Sequence, residues 1–321
     1  MDWRSQKETA LLELQRDKPE GRVPAAEALV AIARERSDRS EFLELVPRLV
    51  NDKNERVRRL GIALGALCMS GEEAESFLIR NLRDESLEVR IEAVGQLADL
   101  ARPTSRGALA AALEDASLPV RFEAARGMAE LHHSAGLDVL IAALDDVSFR
   151  FRALGALAEL GDLRALPALK AVFGRFFLSS FERTQAAGAL AKLGDPDGGR
   201  HLIDRTRKRW STDRALAIEL LGELKVEGAL PRLLEIIHNP KDTCRGAAAR
   251  GLGRLGDKAA ITALAAVFKE QTAPEDVRLD AAEGLVLLKD PSARELVEQG
   301  ISSLESKEAR EELAAMLEES P

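Results

Sequence analysis

Arginine returns along this chain at almost constant intervals. Arg22, Arg58, Arg90, Arg121, Arg150, Arg183, Arg214, Arg245 and Arg278 lie 29 to 36 residues apart, each at the same place in a recurring segment. The segment reads LEVRIEAVGQLADL at 87–100, LPVRFEAARGMAEL at 118–131, VSFRFRALGALAEL at 147–160 and DTCRGAAARGLGRLGD at 242–257. Nine matches at such spacing exclude coincidence, and a period in this range marks a repeat architecture rather than a globule. Within the segment, apolar and small residues recur at helical spacing, as in Val120, Ala124, Ala125, Met128 and Leu131. They line one face of an α-helix. A second amphipathic run separates these helices, for example FLELVPRLV at 42–50, GLDVLIAAL at 136–144, LRALPALKAVF at 163–173 and GALPRLLEII at 228–237. Gly161-Asp162, Gly194-Asp195 and Gly256-Asp257 place glycine just past a helix, where left-handed backbone costs it least.

A two-helix unit of this length cannot bury both sides of its apolar faces alone, but stacked against neighbours it can. The spacing predicts some ten stacked units over 1–321 as a single array, with end units at about 1–35 and 291–321. In the last unit Lys307 is expected at the arginine place, and Glu308, Glu311, Glu312, Glu318 and Glu319 make its helix acidic, as suits an end with no neighbour. Ser5 and Glu8 have the spacing of a capping box.

Asp, a few residues, Val-Arg, then Ala-Ala-x-Ala-Leu-Gly-x-Leu-Gly-Asp resembles HEAT repeats, in particular the HEAT-like repeats of phycobilisome lyases. Pro47, Pro167 and Pro231 in first helices are similar to the proline often seen there. The resemblance implies an all-α fold, a right-handed α-solenoid (superhelix) of about ten two-helix repeats. It also implies that each arginine pairs with an Asp of the inter-helix turn, a ladder between units. Asp52, Asp84 and Asp115 lie six residues before Arg58, Arg90 and Arg121, and Asp17 and Asp145 five before Arg22 and Arg150. The corresponding places before Arg183, Arg214, Arg245 and Arg278 hold Phe177, Lys208, Asn239 and Thr272. The ladder is therefore expected to lose its acidic partner in the second half, leaving those arginines freer for an external carboxylate or phosphate.

Charge and composition narrow the function classes. The 46 basic and 54 acidic residues give a net charge of −8, which disfavours a general nucleic-acid coat while leaving room for a local basic patch. The N-terminal stretch is charged throughout, no apolar run reaches the length of a membrane span, and no membrane is expected as partner. Cys68 and Cys244 lie far apart on inward places of the repeat, the pattern of buried reduced thiols in a cytoplasmic protein.

Two groups of residues stand out as candidate binding surfaces. The second helices of HEAT repeats line the concave surface, and the outward places of adjacent repeats hold Ile91, Phe122 and Phe151. These are read as an exposed apolar row that docks a partner, with Glu123, Arg126 and Arg152 orienting it. The alternative is that neighbouring helices bury the row. Six of the ten Phe lie between 149 and 181, and a basic group with an aromatic, Arg205, Arg207, Lys208, Arg209 and Trp210, follows. That group is read as a basic rim for an acidic protein segment. It is also what a cationic helix C-terminus looks like.

Enzyme classes known on this scaffold find little support in the residues. Deoxyhypusine hydroxylases carry His-Glu iron ligands, whereas none of His132, His133, His201 and His238 is followed by Glu. Hydrolase, P-loop, zincin and dinucleotide fingerprints are missing. No catalytic residue, metal or cofactor is expected. The expected role is a non-enzymatic scaffold or adaptor for a protein or peptide partner, including regulation of a signalling or GTPase-type partner; nucleic acid is disfavoured. A bilin-lyase-like or DNA-glycosylase-like protein using the same groove is the alternative.

Overall fold

The computed structural model describes residues 2–16 and 19–319, and among them there is no strand. Helices come in pairs. In the unit Met1–Asp162 these are α1 (Trp3–Gln15) with α2 (Pro19–Arg34), α3 and α4 (Ser40–Leu43, Val46–Val50) with α5 (Glu55–Cys68), α6 (Gly71–Asn81) with α7 (Leu87–Asp99), α8 (Arg106–Ala112) with α9 (Leu118–Glu130), and α10 (Leu137–Ala143) with α11 (Val147–Leu160). In the unit Leu163–Pro321 they are α12 (Leu166–Phe173) with α13 (Ser180–Lys192), α14 (Pro196–Thr206) with α15 (Arg214–Glu223), α16 (Ala229–Ile237) with α17 (Arg245–Leu255), α18 (Ile261–Lys269) with α19 (Glu275–Leu287), and α20 (Pro291–Gly300) with α21 (Lys307–Glu319). Each unit is thus a stack of five pairs, here called repeats one to five and six to ten.

Within each unit the second helices pack on one another in order, and each first helix packs on its own second helix except α20, which packs on α18 and α19. The apolar face read from the sequence is what they bury. Leu29, Phe42, Ile62, Leu78, Leu97 and Leu109 are closed off in the first unit, and Leu202, Ile218, Leu233, Leu252, Phe268 and Leu285 in the second. In the second unit the helices touch at backbone level. A Cβ on Gly253 would sit 2.6 Å from the Cα of Gly284, and one on Gly284 would lie 2.7 Å from the Ala249 carbonyl oxygen. Glycine at these places is a packing requirement.

In repeats three to nine the turn after the second helix has left-handed backbone eleven residues after the arginine. Gly161, Gly194 and Gly256 hold it at φ of 70°, 81° and 78°, as the sequence led one to expect. The same place in other repeats is filled by Ala101, His132, Lys225 and Lys289 at φ of 45° to 51°, where a side chain costs about 1–2 kcal/mol.

Helix starts correct one expectation. Ser5 and Glu8 form no capping box, because α1 begins at Trp3 and Ser5 is already inside the helix, its carbonyl accepting from Thr9 Oγ1 at 2.8 Å. The box is at Ser179, whose Oγ accepts from the Glu182 amide at 3.2 Å while its own amide donates to Glu182 Oε2 at 3.1 Å. Cys68 and Cys244 are free but half-buried, and burial pushes the Cys68 thiol up. No described helix is long and apolar enough to cross a membrane.

Candidate partner-binding face

The arginine column sets the geometry on which any site is built. Each arginine folds back to carbonyls at the end of its own first helix: Arg58 to the Asp52 carbonyl at 3.1 Å, Arg90 to Asp84 at 3.0 Å, Arg121 to Asp115 at 2.7 Å and Arg150 to Leu144 at 2.7 Å. In the second unit Arg214, Arg245 and Arg278 reach the Thr206, Ile237 and Phe268 carbonyls. These bonds satisfy the orphan carbonyls of a helix C-terminus.

The carboxylate partner comes from the following repeat, which corrects the expected pairing. Asp52 takes Arg22, Asp84 takes Arg58 and Asp115 takes Arg90. The cause is local: Asp52, Asp84 and Asp115 each accept the amide two residues on, from Asn54, Ser86 and Ser117, which turns the carboxylate back along the stack. Asp17 lies outside the described residues. In the second half two of the four arginines keep an acid, and the other two are held by carbonyl and hydroxyl oxygens. Arg214 forms a two-pronged pair with Asp242 at 2.6 and 2.8 Å, and Arg245 pairs with Glu270 at 2.5 Å. Arg278 donates to the Ser303 carbonyl and hydroxyl, and Arg183 to the Phe173 and Arg175 carbonyls. Arg214, Arg245 and Arg278 are buried, so none is available to an external anion. Burial alone would raise the Asp242 pKa, but the Arg214 guanidinium holds it below the usual range.

A tenth arginine belongs to the column. Arg310 donates to the Leu304 carbonyl at 2.7 Å, the bond its counterparts make, while Lys307 is exposed and pairs with Glu311 at 3.2 Å. Lys307 does not take the arginine place; it is the first residue of α21, three residues before Arg310.

The six residues expected on the concave face gather on the second helices of repeats three to five, though not as an exposed row. Phe122 is fully buried. The Phe149 ring packs on it at 4.8 Å and the Arg152 guanidinium lies over it at 5.0 Å. Ile91 is half-buried against the first unit's core. Phe151 alone stays open, at 44% exposure. Periodicity placed Phe122 and Phe151 in one column, but Phe149 and Arg152 of the next helix cover the first.

The polar members form a built cluster. Glu123, itself buried, accepts from Arg152 on both oxygens, at 2.7 and 2.9 Å, and from Arg126 Nε at 3.0 Å. Arg126 also pairs with Asp99 at 2.7 Å and donates to the Gly95 carbonyl at 3.2 Å. Burial works against its charge, but Glu123 and Asp99 hold its pKa above the ordinary value. Arg152 remains half exposed, fixed between a carboxylate and a ring face.

The basic rim is smaller than its sequence. Arg205 is turned inward onto Asp213, which is fully buried and accepts also from Thr184 and Ser211. Burial alone would raise the Asp213 pKa, but these donors hold it far below the usual range. Arg207 pairs with exposed Asp204 at 2.8 Å, Arg209 donates to the Lys241 carbonyl at 2.9 Å, and Lys208 and Trp210 point into solvent.

A model of HEAT repeats matches residues 75–154, 107–175 and 210–285, together more than half of the chain. The chain is a HEAT-repeat protein. Among solved structures it is similar to human deoxyhypusine hydroxylase in complex with glycerol, at 21% identity over 77% of this chain and 97% of that one, with a TM-score of 0.33. It is also similar to the CpcE–CpcF complex of phycocyanin lyase from Nostoc sp., at 19% identity over 98% and 94%, with a TM-score of 0.42. The Kap95:Nup1 complex is 14% identical over 98% of this chain and 50% of that one, with a TM-score of 0.49. None of these likenesses bears on what the chain does. No curated protein matches it in sequence.

One feature of this HEAT-repeat protein has no counterpart in the sequence reading. The edge opposite the arginine ladder has cross-links of its own: Lys170 to Asp195 at 2.5 Å, Lys258 to Asp290 at 2.7 Å, and buried Glu75 accepting from Arg102, Thr104 and Ser105 at 2.7 to 2.9 Å. The Gly-Asp turns at 194–195 and 256–257 were read as helix stops only. Among the described residues no group of three His, Cys, Asp or Glu side chains converges as metal ligands.

Proposed function

We propose that this HEAT-repeat protein is a non-enzymatic scaffold or adaptor that holds a protein or peptide partner on the second-helix face of repeats three to five. The observation that carries the reading is the presentation of Phe151 and Arg152. An open aromatic ring lies beside a guanidinium already fixed on Glu123 and on the Phe122 ring. Aromatic and arginine side chains dominate binding energy at interfaces, and a group ordered before binding loses less entropy on contact. Covering the open part of Phe151 contributes roughly 1 kcal/mol, so the site needs the polar contacts as well. An acidic segment of the partner meets Arg152 here. A signalling or GTPase-type partner is the class that the family resemblance suggests.

The test is affinity capture from the native cell with wild type and with Phe151→Asp plus Arg152→Glu. Phe122→Asp is unsuitable, since it would bury a charge. The reading expects one recovered partner to be lost with the double variant and kept when exposed Lys192 is changed to Glu. Equal recovery by both variants removes this face from the mechanism.

A further inference from the structure

The most exposed large apolar side chains of the second unit lie on two successive turns. Phe176 and Phe177, in the turn between α12 and α13, are 87% and 94% exposed, and Trp210, in the turn between α14 and α15, is 89% exposed. The two phenyl rings stand edge to face, 4.9 Å apart. Exposure this complete is the geometry of a protrusion rather than the wall of a groove, with Arg209 lying over the Trp210 ring at 5.8 Å.

Their backbone is held in place. Arg183 clamps the first turn from below through the Phe173 and Arg175 carbonyls at 2.5 and 2.6 Å, and the Ser179–Glu182 box closes its far end. The second turn is fixed by Asp213 with Arg205 and Ser211, and Thr184 Oγ1 joins it to α13 through Asp213 Oδ2 at 2.5 Å. Arg209 ties it onward to the Lys241 carbonyl. Beside Trp210 in the chain stand Arg207, Lys208 and Arg209, with Asp204 paired to Arg207, Glu235 also near Arg207 and Asp242 near Arg209. In a protein of net charge −8, that is a local cationic collar on an aromatic tip.

We propose that these two turns are a docking surface for an anionic lipid bilayer, with Phe176, Phe177 and Trp210 entering the headgroup layer and the collar facing lipid phosphates. A bilayer interface surrounds a protruding ring on every side and suits amphipathic aromatics. Its anionic headgroups attract lysine and arginine within a Debye length. An acidic protein segment would need to bring a cleft of its own to cover rings this open. The proposal concerns surface attachment, not crossing, and departs from the sequence expectation that no membrane is involved. It does not rest on the partner-binding reading, which concerns the other unit.

Vesicle sedimentation of the full chain tests it, with vesicles of phosphatidylcholine alone and with about 30% phosphatidylserine. The expected result is binding to the serine-containing vesicles, weakened by salt, with a blue shift of Trp210 emission that Trp210→Phe removes. Phe176→Ser plus Phe177→Ser should lower partitioning about tenfold or more with unchanged helical circular dichroism, and Lys208→Glu plus Arg209→Glu should abolish the preference for anionic lipid. No binding to anionic vesicles, or equal binding by the phenylalanine variant, overturns the proposal. So does binding of poly-glutamate or oligodeoxythymidine in the absence of vesicle binding, which would assign the tips to an acidic segment or to a single strand.

Discussion

Replacing Asp84 with Ala separates the observed ladder from the one that spacing suggests. The Asp84 carboxylate accepts Arg58 Nε at 3.0 Å and a terminal nitrogen at 2.9 Å, and also the Ser86 amide at 2.8 Å. Arg90, six residues on, uses only the Asp84 main-chain carbonyl, at 3.0 Å, which survives the substitution. Arg58 is about nine-tenths buried and would keep the Asp52 and Lys53 carbonyls and the exposed Glu85. Losing a charge-assisted, largely buried pair costs about 1.5–3 kcal/mol, and losing the amide bond at the start of α7 about 1 kcal/mol more. Because Arg58 keeps other acceptors, a total near the lower end of the buried-pair range of roughly 3–5 kcal/mol is expected. Double-mutant cycles read from urea unfolding, at unchanged m, isolate the partner. Asp84→Ala with Arg58→Met should show a coupling of about 1–2 kcal/mol, and with Arg90→Met less than about 0.5 kcal/mol. A larger coupling to Arg90 than to Arg58 would refute the inter-repeat ladder.

Other substitutions probe the turns, the close packing and the buried acids. Ala101→Gly removes a left-handed alanine at φ 45° and should raise stability by about 0.5–1 kcal/mol, seen as a higher thermal midpoint. Gly253→Ala, whose Cβ would meet the Gly284 backbone, should destabilise by about 1–3 kcal/mol. Gly107→Ala, with nothing within 4 Å, should stabilise by up to about 1 kcal/mol in the same urea assay. Burial first, and then Asp280 and Glu312, raise the Glu283 pKa. For an acid whose folded pKa is raised, the favourable contribution is present at low pH and lost as pH rises through the folded value. Glu283→Gln should therefore raise the urea midpoint near neutral pH and do so less toward pH 4; an equal gain at both would contradict it.

Much of the fold is legible in the sequence because one repeat reports on all the others. The arginine spacing, the apolar face and three glycine stops predict paired helices, and ten pairs are found among the described residues. What failed has a common cause: spacing along the chain does not say which way a side chain turns between repeats. Asp52, Asp84 and Asp115 were found in the right turns but assigned to the wrong arginines, since the amide two residues on decides their direction. Phe122 and Phe151 share a helical place, yet only the first is followed in the stack by a Phe149 and an Arg152 that cover it. Arg205 reads like its neighbours Arg207 and Arg209, and only the position of Asp213 shows that it faces inward. Arg310 was missed because the last repeat aligns by charge less well than by its turn, where the Leu304 carbonyl receives it. The exposure of Phe176 and Phe177 had a visible signal, an inter-helix turn longer and more aromatic than its counterparts.

The central claim, a partner held at Phe151 and Arg152, is tested most directly by a photo-crosslinking residue placed at position 151 of the full chain in its native cell. A discrete adduct is predicted, lost when Arg152→Glu is added and not formed from the same residue at exposed Leu12 on α1. No adduct at 151, or one indistinguishable from that at Leu12 and insensitive to Arg152→Glu, would contradict the account.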